Sequence, residues 1–123
     1  WGRNQYQTKA AEANLKNSEL NLENQKKSIR RNVLNTVERV REATNRVEVL
    51  KRSQELAQRT YDISLDQFNR GEASSQDLTL AQNRLTRAQS AYLNAFISYK
   101  IAMADLSRQT MWDFERGVSL KLR

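Results

Sequence analysis

Four carboxylates crowd one short stretch of the chain: Asp62 and Asp66, one helical turn apart, then Glu72 and Asp77. Acids so spaced have two chemistries open to them, sharing a proton for acid–base work or cradling a cation. Neither constellation is complete here. The chain contains no histidine and no cysteine, which removes the commonest general base, thiolate nucleophiles, thiolate metal sites and disulfides. The serines fall singly, with no G-x-S-x-G elbow, no Walker loop and no G-x-G-x-x-G. The sequence therefore reads as a non-enzyme without cofactor or metal, and its spaced acids read first as solvated helix carboxylates. Symmetry would change their meaning, because a ring of carboxylates at a constriction attracts cations and can gate a pore.

The elements that must position these acids follow from what the chain avoids. Among 123 residues there is no proline, and Gly71 is the only glycine between Gly2 and Gly117. Good helix formers such as Ala10, Ala13, Leu15, Leu20 and Lys26 fill the first half. The pattern predicts a long helix over residues 5–69 and a turn over 70–74. A return helix over 75–110 and an exit segment over 111–123 complete it. Gly71 can take the left-handed conformation that closes a helix. Ser74 then reads as the N-cap of the next helix, with Asp77 three residues on in an S-x-x-D capping arrangement.

Seven-residue rows give the kind of hairpin. In the return helix Leu78, Leu85, Tyr92, Tyr99 and Leu106 make one row, and Ala81, Ala88, Ala95 and Ala102 make the other. That is a coiled-coil seam in which one core position is always alanine. The first helix answers with Val33, Val40, Val47, Gln54, Tyr61 and Phe68, and with Thr36, Ala43, Leu50, Ala57 and Ser64. Gln54, the polar residue of the large row, reads as a register marker. The fold class expected is all-α, a long antiparallel two-helix coiled-coil hairpin with unequal arms. Val49, Leu56, Ile63, Leu93, Phe96 and Met103 fall off the seams, and Leu15, Leu20, Leu22 and Ile29 have no counterpart in the return helix. These residues call for other chains or other parts of a longer protein.

Charge and hydropathy narrow the setting. Lys and Arg total 21 against 14 Asp and Glu, a net charge of +7. The densest basic run, Lys26, Lys27, Arg30 and Arg31, lacks interleaved aromatics to stack bases, so nucleic acid is not expected as a partner; the excess reads as a solvated basic face. No apolar run approaches the ~20 residues of a membrane-spanning helix. Opening on Trp1 rather than Met, the chain reads as a piece whose targeting segment lies elsewhere.

The stretch "FNRGEASSQDLTLAQNRLTRAQSAYLNAFISYKIAMADL" resembles the TolC-like outer-membrane efflux family. Phe68, Gly71, Ser74, Asp77, Ala81, Gln82, Leu85, Ala88 and Tyr99 stand at matching positions. "WGRNQ" is similar to the family's passage from a barrel strand into a long periplasmic helix, which implies a strand-to-helix junction over residues 1–4, and "SRQTMWDFERGVSL" is similar to the stretch where the returning helix leaves the tunnel. The resemblance implies the second of two repeated hairpins in an outer-membrane channel of Gram-negative cells, serving efflux or type I secretion. It implies a homotrimer whose helices form an α-helical barrel, a periplasmic tunnel below an outer-membrane β-barrel whose strands are absent from this piece. A periplasmic adaptor and an inner-membrane transporter are the implied partners. Residues Asn69, Arg70, Gly71, Glu72, Ala73 and Ser74 would form the adaptor-contact tip. Asp77 and Asp66 are the candidate pore-side acids. Two departures stand out: Glu72 where the family often has an apolar residue, and Thr79 where it usually has Leu. Arg70 and Glu72 are expected to pair with the adaptor or with one another.

Two other readings compete. One is the hairpin of a periplasmic adaptor, against which the unequal arms count. The other is a free-standing coiled-coil scaffold binding anionic surfaces through its charge. The tail "GVSLKLR" alternates Val118, Leu120 and Leu122 with Ser119, Lys121 and Arg123, the period of a strand. As a strand it needs a partner outside the helical hairpin.

Overall fold

The computed structural model describes residues 1–120. Its elements run α1 (Gly2–Asn69), α2 (Ser75–Thr110), β1 (Trp112–Asp113) and β2 (Val118–Ser119). The protein is all-α in class, and its two long helices form a hairpin packed together. The chain divides into two compact units, Trp1–Asn35 and Thr36–Arg123.

In the first unit α1 is a single exposed helix, and Leu15, Leu20, Leu22 and Ile29 are all more than half exposed. Nothing within the unit can cover them. Thr8 returns its hydroxyl to the Asn4 carbonyl at 2.8 Å, one way a β-branched polar residue is accommodated in a helix.

In the second unit the antiparallel packing follows the seven-residue rows. Ala81, Leu85, Ala95, Ala102 and Leu106 of α2 form the buried apolar core. Leu78, Ala88, Tyr92 and Tyr99 are half-buried beside them. Facing positions of α1, Val40, Ala43, Val47, Leu50, Gln54, Ala57, Tyr61 and Ser64, are also half-buried, whereas Val49, Leu56 and Ile63 are exposed. Small residues in one row leave room for larger ones opposite, so side chains interdigitate with little void. The alanines also leave a shallow groove of about 260 Å³, lined in part by Ala43, Ala95 and Ala102 and edged by Arg39, Arg46 and Asp105.

The register marker is not where the sequence placed it. Gln54 makes no side-chain hydrogen bond among the described residues, whereas Thr36, fully buried, donates to Gln109 Oε1 at 2.9 Å. Its hydroxyl also accepts from Arg39 Nη2 at 3.2 Å, and Arg39 lies 4.0 Å from Asp105. A half-buried glutamine keeps access to water, so it imposes no register. A fully buried hydroxyl must find its partner inside the protein.

The exit segment folds on itself. Met111 ends α2 in a left-handed conformation (φ 55°, ψ 32°), its N–H returning to the Ser107 carbonyl. β1 and β2 then pair antiparallel, Trp112 opposite Ser119 and Asp113 opposite Val118. Asp113 Oδ1 accepts from the backbone N–H groups of Glu115 and Arg116 at 3.0 and 3.1 Å, which fixes the turn. Val118 thus does lie in a strand, and its partner is the residue pair that follows α2. Leu120 adds a backbone bond to Met111 at 2.8 Å; Lys121, Leu122 and Arg123 lie outside the described residues. Lys100 holds Glu115 at 2.5 Å and sits 5.7 Å from the Phe96 ring centre. The hydrogen bond to Glu115 raises the Lys100 pKa.

Ala95, only 4 % exposed, tests the small-residue seam. Ala95→Leu should destabilise the hairpin by about 1–3 kcal/mol through overpacking. Leu93→Ala, at a position 56 % exposed, should change stability by less than about 0.5 kcal/mol. Urea unfolding followed by circular dichroism measures both, and equal effects would mean that the alanine row is not the packed seam.

Candidate functional site at the helix reversal

The reversal between α1 and α2 is built by backbone hydrogen bonds before any side chain acts. Gly71, at φ +74°, adopts the left-handed conformation. The Glu72 N–H reaches back to the Gln67 carbonyl at 2.8 Å, and the Gly71 N–H to that of Phe68 at 3.0 Å. This pair of bonds is the Schellman closure, which satisfies carbonyls that the end of a helix leaves open. A Cβ at Gly71 would meet nothing within 4 Å, so backbone conformation, not space, selects glycine there.

Four residues on, α2 starts with a reciprocal cap. Ser74 is extended (φ −81°, ψ 161°), and its Oγ accepts from the Asp77 N–H at 3.1 Å. The Ser74 N–H donates to Asp77 Oδ2 at 3.1 Å, and the Ser74 hydroxyl donates to the same oxygen at 2.7 Å. The charged form of Asp77 receives these bonds, and the Ser74 hydroxyl and then the Ser74 backbone lower its pKa. An acid in the first turn also meets the positive end of the helix dipole.

The other acids find separate partners. Asp66 pairs with Arg70 across one helical turn, and Asp62 accepts from Gln58 at 3.0 Å. Glu72 makes no ion pair among the described residues. Arg70 is therefore engaged with Asp66 rather than with Glu72. Residues four apart on a helix share a face, whereas Glu72 lies beyond the left-handed turn at Gly71. Among the described residues no three acidic side chains gather as metal ligands. Asn69, Arg70, Gly71, Glu72 and Ser74 are exposed, and Ala73 is half-buried. The site is a compact, capped, solvated corner carrying one ion pair, one capping carboxylate at Asp77, and Glu72, which has neither kind of partner among the described residues.

The sequence reading missed two polar links, Thr36–Gln109 and Lys100–Glu115. Thr36 was already legible as a member of a seam row. Nothing in the spacing of Lys100 and Glu115, fifteen residues apart, announces a bond that forms only because the exit segment turns back.

These features define a class, an antiparallel helical hairpin that presents a capped polar corner. The outer membrane efflux protein family matches residues 1–110, and the chain belongs to that family. No curated protein and no solved structure matches it. Membership places the chain in a family of outer-membrane transport proteins.

The cap gives a pH prediction. Because the folded Asp77 pKa is lowered, its contribution is fully present above the ordinary aspartate range and lost as pH falls through the depressed folded value. An NMR titration of the Asp77 carboxyl carbon should show a midpoint below that of an aspartate in an unstructured reference peptide. In Ser74→Ala the midpoint should return toward the peptide value; no return would mean that Ser74 is not the cause.

Proposed function

We propose that this chain forms part of the periplasmic tunnel of a trimeric outer-membrane channel, within an α-helical barrel, and that the Gly71 corner docks a periplasmic adaptor. The observation that carries the reading is the rigid reversal at Gly71–Asp77, lying inside the family match over residues 1–110. The apolar rows left bare on both helices support it, since a helix in a closed ring needs neighbours on two sides. The adaptor, in turn, links the channel to an inner-membrane transporter for efflux or type I secretion.

In this reading residues 69–74 are the contact surface. Glu72 is its leading determinant of partner choice, because it makes no ion pair within the described chain. Arg70 contributes through a charge that Asp66 already balances. Asp77 and Asp66 are the pore-side acids, repeated around the trimer axis to favour cations at the inner end.

The test uses the full-length protein carrying Arg70→Glu and Glu72→Lys. Outer-membrane assembly should be retained, while export and site-specific cross-linking to the adaptor are lost. Glu72→Lys alone should impair cross-linking more than Arg70→Gln. Normal export by a correctly assembled double variant would overturn the docking assignment.

A further inference from the structure

The segment that follows α2 is held differently from the helix it leaves. Up to Thr110 the helix is well fastened. Buried Thr36 donates to Gln109 Oε1 at 2.9 Å, and the Thr110 hydroxyl returns to the Leu106 carbonyl at 2.8 Å. The chain then reverses at Met111, whose φ of 55° is the only positive value at a non-glycine residue among the described residues. An unbranched L side chain reaches this left-handed region only at a conformational cost, which glycine would not incur.

Beyond Met111 little apolar packing holds the segment down. β1 and β2 have two residues each, and an isolated two-stranded hairpin is marginal in water. Trp112, Phe114 and Val118 stay exposed. Between the segment and α2 lies a recess of about 300 Å³, lined by Met103, Ala104 and Ser107 on one side and by Asp113 and Leu120 on the other. Close-packed surfaces leave no such space. At its rim Lys100 Nζ meets Glu115 Oε1 at 2.5 Å. Among the described residues this is the one side-chain hydrogen bond or ion pair that joins residues 112–120 to α2. The Phe96 ring, 5.7 Å from the same ammonium, steadies the cation where Glu115 reaches it.

We propose that residues 111–120 are a hinged strap, with Met111 as the hinge and the Lys100–Glu115 pair as the latch. Closed, the strap covers Met103, Ala104 and Ser107; open, it exposes them. The two elements oppose one another, because the left-handed backbone at Met111 favours release and the ion pair favours closure. Both effects are small, since an exposed ion pair contributes little and salt screens it. The closed and open forms are therefore close in free energy, and local charge decides between them. The strap lies beyond residues 1–110 that the family matches, and it does not depend on the docking proposed at the reversal.

The experiment measures the distance between spin labels in the 123-residue chain by electron–electron double resonance. The chain has no cysteine, so Thr86→Cys and Phe114→Cys are labelled uniquely. A closed strap sets the second label near Lys100, about 21 Å from Thr86 at 1.5 Å per residue, and a strap swung past Thr110 sets it beyond about 36 Å. The short distance should predominate at low salt. Glu115→Lys should raise the long-to-short ratio roughly fivefold, and adding Lys100→Glu to it should restore the short distance. Salt at about 0.5 M should shift the parent chain toward the long distance and leave Glu115→Gln unmoved. Met111→Gly should act from the other side, lowering the ratio in the Glu115→Gln background roughly fivefold. Helix content by circular dichroism should match the parent in every variant. A ratio unmoved by Glu115→Lys, or not restored by the charge exchange, would overturn the latch. No response to Met111→Gly would overturn the hinge, and either result sinks the proposal.

Discussion

The second unit hangs on a single backbone constraint, the left-handed turn at Gly71. A chain of helix formers without proline has little else to make it stop, and every L side chain at that position would add conformational cost. Glycine permits the turn, and the two backbone bonds to Gln67 and Phe68 fix it. Ser74 and Asp77 then restart the helix within one turn. Because stop and start are both locked, the phase of α2 relative to α1 is set at the corner. Rows counted outward from it meet as seams instead of sliding past one another.

What the seams accomplish is limited by their composition. Among the described residues five apolar side chains are buried, and three of them are alanine, whose burial contributes little per residue. Leu80, Leu93, Ile97 and Ile101 stay about half exposed or more on α2, as do Val49, Leu56 and Ile63 on α1. A hairpin that spends its closest contact on small residues keeps its large ones for other surfaces. This accords with membership of a family of outer-membrane efflux proteins, for which lateral packing of helices is the proposed role. Thr36, closing the seam with Gln109, supplies specificity that alanine cannot, since a buried hydroxyl has few acceptable partners.

Charge behaves differently at the corner and in the first unit. At the corner, helical spacing satisfies acids locally: Arg70 answers Asp66, and Ser74 answers Asp77. The corner is consequently polar and solvated, with Glu72 outside these local pairs among the described residues. In residues 1–35 Lys26 and Lys27 follow Glu23 at three and four residues, yet no ion pair forms there among the described residues. Helical spacing thus permits local pairing without guaranteeing it.

The sequence by itself determined the helices, the corner and the rows. Glycine conformation, capping stereochemistry and seven-residue spacing are local properties, readable wherever Gly71, Ser74–Asp77 and the Ala81–Ala102 row occur. It also carried the likeness to the efflux family, because that likeness is a matter of order and spacing. Only the tertiary structure decided which polar residues lock the register and which tip charge is left over. Gln54 looked like the register marker, but Thr36 is the residue sealed from water and bonded across to Gln109. Arg70 had two acids within reach along the chain, and the turn at Gly71 left Asp66 on its face and Glu72 off it. Likewise the strand at Val118 has its mate at Asp113 only because Met111 turns the chain at the end of α2. In each case the physical reason is the same: burial and pairing depend on what lies across the fold, and spacing along the chain does not encode it.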